Sequence, residues 1–199
     1  MTVNQEFLFA DEPQPQHQAN PKLPGWKVLI VDDEKEVHAV TRLALMELSF
    51  EQRGLEFLSA YSRAEAEQLV TQHHDIALIL LDVVMDTDDA GLKVTEFVRN
   101  TMKNQFSRII LRTGQPGQAP ERSVVIHYDI NDYKAKTELT SQKLFTAVMS
   151  SLRSYRDIMR VEQQRQQLER QLEQVLQQLQ HDFPAAYQQV TARLSEEQA

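Results

Sequence analysis

In KVLIVDDEKEVH, Lys27 to His38, three carboxylates stand directly behind four apolar residues. Val28 to Val31 read as a strand buried on both faces, so Asp32, Asp33 and Glu34 arrive together where that strand leaves the core. Adjacent acids repel, and desolvating them is costly unless a cation compensates them. Three further polar residues close strand-like runs: Asp82 ends IALILLD (76–82), Thr113 stands before the glycine of RIILRTG (108–114), and Lys136 ends NDYKAK (131–136). Carboxylates gathered in one crevice make a poor core but a good site for a hard divalent ion, and Mg²⁺ takes oxygen ligands of this kind. A rigid carboxylate beside such an ion can attack phosphorus and form an aspartyl phosphate, which casts Asp82 as nucleophile and Asp32, Asp33 and Asp82 as metal ligands. Lys136 can pair with a phosphoryl oxygen as a point charge. The Thr113 hydroxyl can donate to another oxygen only after transfer, and a state-dependent contact is what a switch requires.

The elements that must carry these residues are legible in the apolar spacing. VLIVD (28–32), LEFLSA (55–60), IALILLD, RIILRTG and NDYKAK read as five strands. Val37, Val40, Thr41, Ala44, Leu45 and Leu48 fall at helical spacing, RAEAEQLVTQHH (63–74) and GLKVTEFVRNTM (91–102) are helical, and APERSVVIHY (119–128) is a further helix candidate. Strands alternating with helices imply an α/β fold with a doubly wound parallel sheet, because parallel neighbours need crossover connections. In such a sheet ligands sit outside the carboxyl ends of the strands, which is where the polar residues above lie.

Residues 1–25 read as a flexible arm, with four prolines and a glycine in DEPQPQHQANPKLPG and no periodicity. The sheet unit spans 26–150. From there to the C-terminus (151–199) the reading is a helical tail. Ile158, Val161, Leu168, Leu172, Val175 and Leu179 fit a and d positions of a heptad, with Arg165 at one a position, as in a coiled-coil seam. Half of residues 163 to 180 are glutamine, so low-complexity bias contributes to that regularity. Pro184 stops the run.

Composition narrows the function. The formal net charge of −8 argues against direct binding of nucleic acid, which needs a basic face. The segment from Thr137 to Ala199 carries 7 Lys/Arg against 8 Asp/Glu and no compact helix-turn-helix, so a transcription factor is disfavoured. With no cysteine, disulfides and thiolate chemistry are excluded. No apolar run approaches a bilayer span, and the acidic N-terminus lacks the features of a signal peptide, so no membrane association and a cytoplasmic location are expected. HHD (73–75) and HD (181–182) lack a second ligand cluster and read as surface histidines.

VLIVDDE, LILLDVVM, RIILRTG and DYKAK resemble the receiver domain of two-component response regulators, over roughly residues 26 to 150. The resemblance implies a flavodoxin-like fold with strand order 2-1-3-4-5. It implies Asp82 as phosphoacceptor for a sensor histidine kinase or phosphotransfer protein, with Mg²⁺ held by Asp33 and Asp82, Asp32 acting nearby, and the backbone carbonyl of Val84 completing the site. Thr113, Tyr133 and Lys136 match the switch hydroxyl, the switch aromatic and the phosphate-binding lysine. The stretch from ILRTGQPGQAPE through DYKAKTELTSQKLFTAVMSSLRSY is similar to receivers that precede cyclic-di-GMP phosphodiesterase domains of the HD-GYP type. The sequence departs from the family pattern at two places. Thr137 follows Lys136 where the family has proline, which leaves Lys134 as a second lysine candidate. MDTDDAGL lacks the family's proline after Asp82 and is one residue longer, adding Asp86, Asp88 and Asp89 at the rim. The expected protein is a phosphorylation-dependent regulator with no output enzyme domain, signalling through a tail that dimerises or binds a partner. Two alternatives stay open: a scaffold that is never phosphorylated, and the N-terminal fragment of a larger cyclic-di-GMP phosphodiesterase regulator.

Overall fold

The computed structural model describes residues 23–114, 128–138, 140–185 and 187–188. Five parallel strands form one sheet: β1 (Trp26–Val31), β2 (Leu55–Ala60), β3 (Ile76–Asp82), β4 (Arg108–Thr113) and β5 (Asp132–Ala135). Their order is β2-β1-β3-β4-β5, so the winding reverses between β1 and β3 and opens a crevice at their carboxyl ends. Every residue of β3 is buried, as its unbroken apolar run requires of a central strand covered on both faces. In register, Val31 of β1 lies beside Leu81 of β3, and Asp82 lies beside Arg112 of β4. The acids that follow β1 and the one that ends β3 are therefore brought to the same edge.

Helix α1 (Lys35–Leu45) starts directly after the acidic run, and α2 (Arg63–Gln72) is capped by Ser62, whose side chain accepts from the Glu65 amide. Helix α3 (Ala90–Glu96) begins one residue earlier than the sequence spacing indicates and does not continue as a regular helix to Met102. It runs into a wider π turn over Phe97–Thr101, in which the Met102 amide reaches the Phe97 carbonyl at 2.9 Å. The turn carries a buried Arg99 whose guanidinium donates to the carbonyls of Asp129, Asn104 and Ser107. Of the helix expected over 119–128 all but Tyr128, which lies in a turn, falls outside the described residues, as does the arm expected over 1–25 as far as residue 22.

Two apolar layers cover the sheet. On one face Leu29, Val31, Ile79, Leu81, Ile109 and Leu111 pack against Val70, Val94 and Val98. On the other, Val28, Leu78, Leu80 and Ile110 pack against Leu45 and against Leu144, Val148, Leu152 and Tyr155 of the last helix. That helix, α4 (Ser141–Asp182), is one unbroken rod whose N-cap is Thr140; its buried residues end at Tyr155, and Met159 packs half-buried against the same layer. Beyond it, Val161, Leu168, Leu172 and Val175 are exposed. No described helix is long and apolar enough to cross a membrane.

Candidate functional site

Asp32 is fully buried at the end of β1, Asp82 is 3% exposed at the end of β3, and Asp33 stands exposed between them and solvent. One carboxylate oxygen from each lies within 4.8 Å of the other two. Among the described residues no other His, Cys, Asp or Glu cluster has this spacing. Asp32 Oδ1 also accepts from the Glu34 amide at 3.1 Å, so the same side chain helps shape the entry to α1.

Lys136 follows β5 and reaches across the crevice. Its Nζ lies 2.8 Å from Asp82 Oδ2, 3.2 Å from Asp32 Oδ2 and 3.1 Å from Glu34 Oε1. Partial burial alone would lower the lysine, but its hydrogen bond to Asp82 and the charges around it outweigh that and raise its pKa. Lys134 points elsewhere and pairs with Asp132 at 3.1 Å. Burial pushes the Asp82 carboxyl above its ordinary range, and the hydrogen bond from Lys136 only partly opposes this. Asp82 Oδ1 is buried with no hydrogen-bond partner among the described residues. An orphaned carboxylate oxygen beside two more carboxylates fits a hard cation, and an all-oxygen donor set fits Mg²⁺ rather than a thiolate- or imidazole-seeking metal.

Thr113 ends β4, buried, one residue beyond the partner of Asp82 in register. Tyr133 lies on β5 opposite Leu111 and is buried in the apolar layer with Ile109 and Leu111. Val84 is half-buried in the loop after β3. That loop is held by the Val83 amide donating to the Arg112 carbonyl at 3.0 Å and the Gly91 amide donating to the Val83 carbonyl at 3.0 Å. Of the rim acids, Asp89 is engaged locally. It pairs with Lys93 at 2.8 Å and accepts from the Thr87 hydroxyl, and these partners hold its carboxyl below the usual range. His73 and Asp75 gather around Lys27 and His181 pairs with Asp182, both away from the acidic cluster.

Two participants are absent from the strand-end reading. Arg112, penultimate in β4, is 3% exposed and places Nη2 3.3 Å from Asp32 Oδ2. Burial lowers its pKa, opposed by Asp32 and Asp82. His38 of α1 is also buried, with Nε2 2.8 Å from the Asp32 carbonyl and Nδ1 2.8 Å from the Ser59 hydroxyl. A charge inside the apolar run RIILRTG is the available sign of the first. The second occupies the inward face of α1 among residues whose spacing signals packing alone.

The family model described as response regulator receiver domain matches residues 28–149, more than half of the chain. A 140-residue match, 49% identical, joins the chain to 3'3'-cGAMP-specific phosphodiesterase 2 of Vibrio cholerae; it covers 70% of this chain and 27% of the relative's length. Solved structures share the fold at lower identity. The signal receiver domain of an HD domain-containing protein from Pseudomonas fluorescens superposes with a TM-score of 0.55 at 19% identity, covering 67% of this chain and 98% of that one. A response regulator receiver domain protein from Clostridium thermocellum gives 0.56 at 20% identity, covering 67% and 98%. With the reversed winding, the acid cluster at its crevice and the family model in agreement, the chain belongs to the response regulator receiver domain family.

Proposed function

We propose that the chain is a phosphorylation-dependent response regulator in which Asp82 accepts a phosphoryl group from the phosphohistidine of a sensor histidine kinase or phosphotransfer protein. The observation that carries this reading is the buried Asp82 carboxylate, with one oxygen bound by Lys136 and the other unpartnered among the described residues, beside Asp32 and Asp33. Asp32, Asp33, Asp82 and the Val84 carbonyl would hold Mg²⁺, which supplies charge neutralisation for the entering phosphoryl group. A carboxylate oxygen of Asp82 forms the new O–P bond as the N–P bond of the donor breaks. Lys136, already at Asp82, then pairs with a phosphoryl oxygen, and the Thr113 hydroxyl donates to another. Tyr133, on the strand next to Thr113, is the aromatic that repacks with it. The readout passes to α4, whose exposed stripe serves as a homodimer contact.

The test is intact mass after incubation with Mg²⁺ and acetyl phosphate. A gain of about 80 Da, one phosphoryl group, is expected in the wild type and absent in Asp82→Asn. No adduct in the wild type would put the scaffold reading ahead.

The Vibrio relative favours a second reading, in which this receiver controls a cyclic-dinucleotide phosphodiesterase carried by another domain or partner. Here the phosphorylated chain changes the rate at which such an enzyme hydrolyses 3'3'-cGAMP, and an unchanged rate would end that reading.

A further inference from the structure

Arg112 is a guanidinium in a place that packing does not explain. The interior of a parallel strand is apolar, and burying an arginine is unfavourable unless its donors are satisfied. Arg112 is only partly satisfied: one contact of 3.3 Å to Asp32 Oδ2, one of 3.1 Å to the Thr41 hydroxyl, and an Nε with no partner among the described residues. What it does supply is charge. Asp32, Asp33, Glu34 and Asp82 bring four negative charges to the crevice, and Lys136 and Arg112 bring two positive ones. We propose that Arg112 is an internal counter-cation at Asp32, which holds the crevice together when no metal is bound and lowers its affinity for a divalent ion. The inference rests on the reading of Asp32, Asp33 and Asp82 as a metal site. An ion coordinated by Asp32 faces a guanidinium already in contact with the same carboxylate, so the two cations oppose each other. The arginine also has room to withdraw. A cavity of about 220 Å³ adjoins it, lined by Glu36, Val40 and Thr41 of α1 and Leu144 of α4. Glu36 offers a carboxylate there, and Leu144 belongs to the first turn of the helix that leaves the domain. Metal occupancy is thereby felt at the root of α4.

The experiment measures Mg²⁺ and Mn²⁺ affinity by calorimetry, and melting temperature in EDTA and in saturating Mg²⁺, for wild type, Arg112→Met and Arg112→Lys. Arg112→Met is expected to bind the ion about tenfold tighter or more, to melt lower than wild type in EDTA, and to recover most of that loss in Mg²⁺. Arg112→Lys, which keeps the charge, is expected to stay within about threefold of wild-type affinity. A Met variant that folds only with Mg²⁺ supports the proposal, and one that stays unfolded in saturating Mg²⁺ overturns it. Unchanged or weaker binding by Arg112→Met, beside a wild type that binds, overturns the proposal and leaves the metal site standing. A Lys variant that behaves like Met also overturns it. Binding by Arg112→Met alone, with none by wild type, supports it. Binding by none of the three overturns the metal reading and this inference together.

Discussion

Asp82 is where the site's opposing demands meet. The proposed phosphoryl transfer needs its carboxylate ionised and rigid, yet rigidity comes from burial, which disfavours the charge. Lys136 supplies part of the compensation at 2.8 Å, and Oδ1 is left without a partner among the described residues. The consequence for stability has a definite sign. A carboxyl raised above its ordinary value, about 3.9 for aspartate, keeps its proton in the folded chain over a range where the unfolded chain has released it. In metal-free buffer the wild type should therefore lose stability relative to Asp82→Asn as pH rises through the window above that value, and the difference should level off once the folded carboxyl has ionised. Urea unfolding of both proteins in EDTA at pH 4 and pH 7 reads this directly; an equal gap at the two pH values would contradict it. Asp32, Asp33, Asp82 and Lys136 are legible in the sequence because strand ends fix where side chains emerge, whatever the loops do. Lys134, two residues earlier, stays inside β5 and pairs with Asp132, whereas Lys136 stands just past the strand's end, which is what carries it to the crevice. Arg112 shows in the sequence only as a charge directly behind the apolar Ile109, Ile110 and Leu111, and nothing in that spacing says that it faces Asp32.

At the scale of elements, the loop after β3 depends on an approach that only glycine permits. A Cβ on Gly91 would stand 2.1 Å from the Asp82 carbonyl oxygen and 2.9 Å from Val83 Cα, both backbone atoms that cannot step aside. Through that contact the start of α3 lies directly behind Asp82, held there by the hydrogen bond that the Gly91 amide donates to the Val83 carbonyl. Gly91→Ala should destabilise the domain by about 1–3 kcal/mol, the range of overpacking, with a lower urea midpoint and an unchanged slope. A loss under about 0.5 kcal/mol, within the ordinary surface range, would show that the loop yields freely. The strands, α1 and α2 are readable because period and length agree in each. The end of α3 is not, since apolar periodicity over a dozen residues is nearly blind to one wider turn. Arg99, buried beside Val98, is the residue out of keeping there.

At the scale of the molecule, α4 is asked to do two things along one rod. Its first part is core: Leu144, Val148, Leu152 and Tyr155 seal the face of the sheet opposite α2 and α3. Its second part leaves the domain with Val161, Leu168 and Leu172 exposed at 66, 68 and 52%, a stripe that a lone helix has no reason to keep apolar. In the proposed homodimer this stripe, at heptad spacing, is one half of a seam with a second copy. Arg165 interrupts it, and its guanidinium is satisfied on its own helix by Glu162 and Glu169, which holds the Glu162 carboxyl down to about 2. An arginine at an a position weakens a seam while fixing its register. Two substitutions should then move the assembly in opposite directions. Leu168→Asp with Leu172→Asp should convert a dimer to monomer in light scattering, while the melting of the sheet domain stays put because neither side chain touches its core. Arg165→Leu should tighten the dimer by about tenfold, the scale expected when a charged a position becomes leucine. A wild type that is monomeric at every concentration measured, phosphorylated or not, would leave the stripe to a partner of another kind.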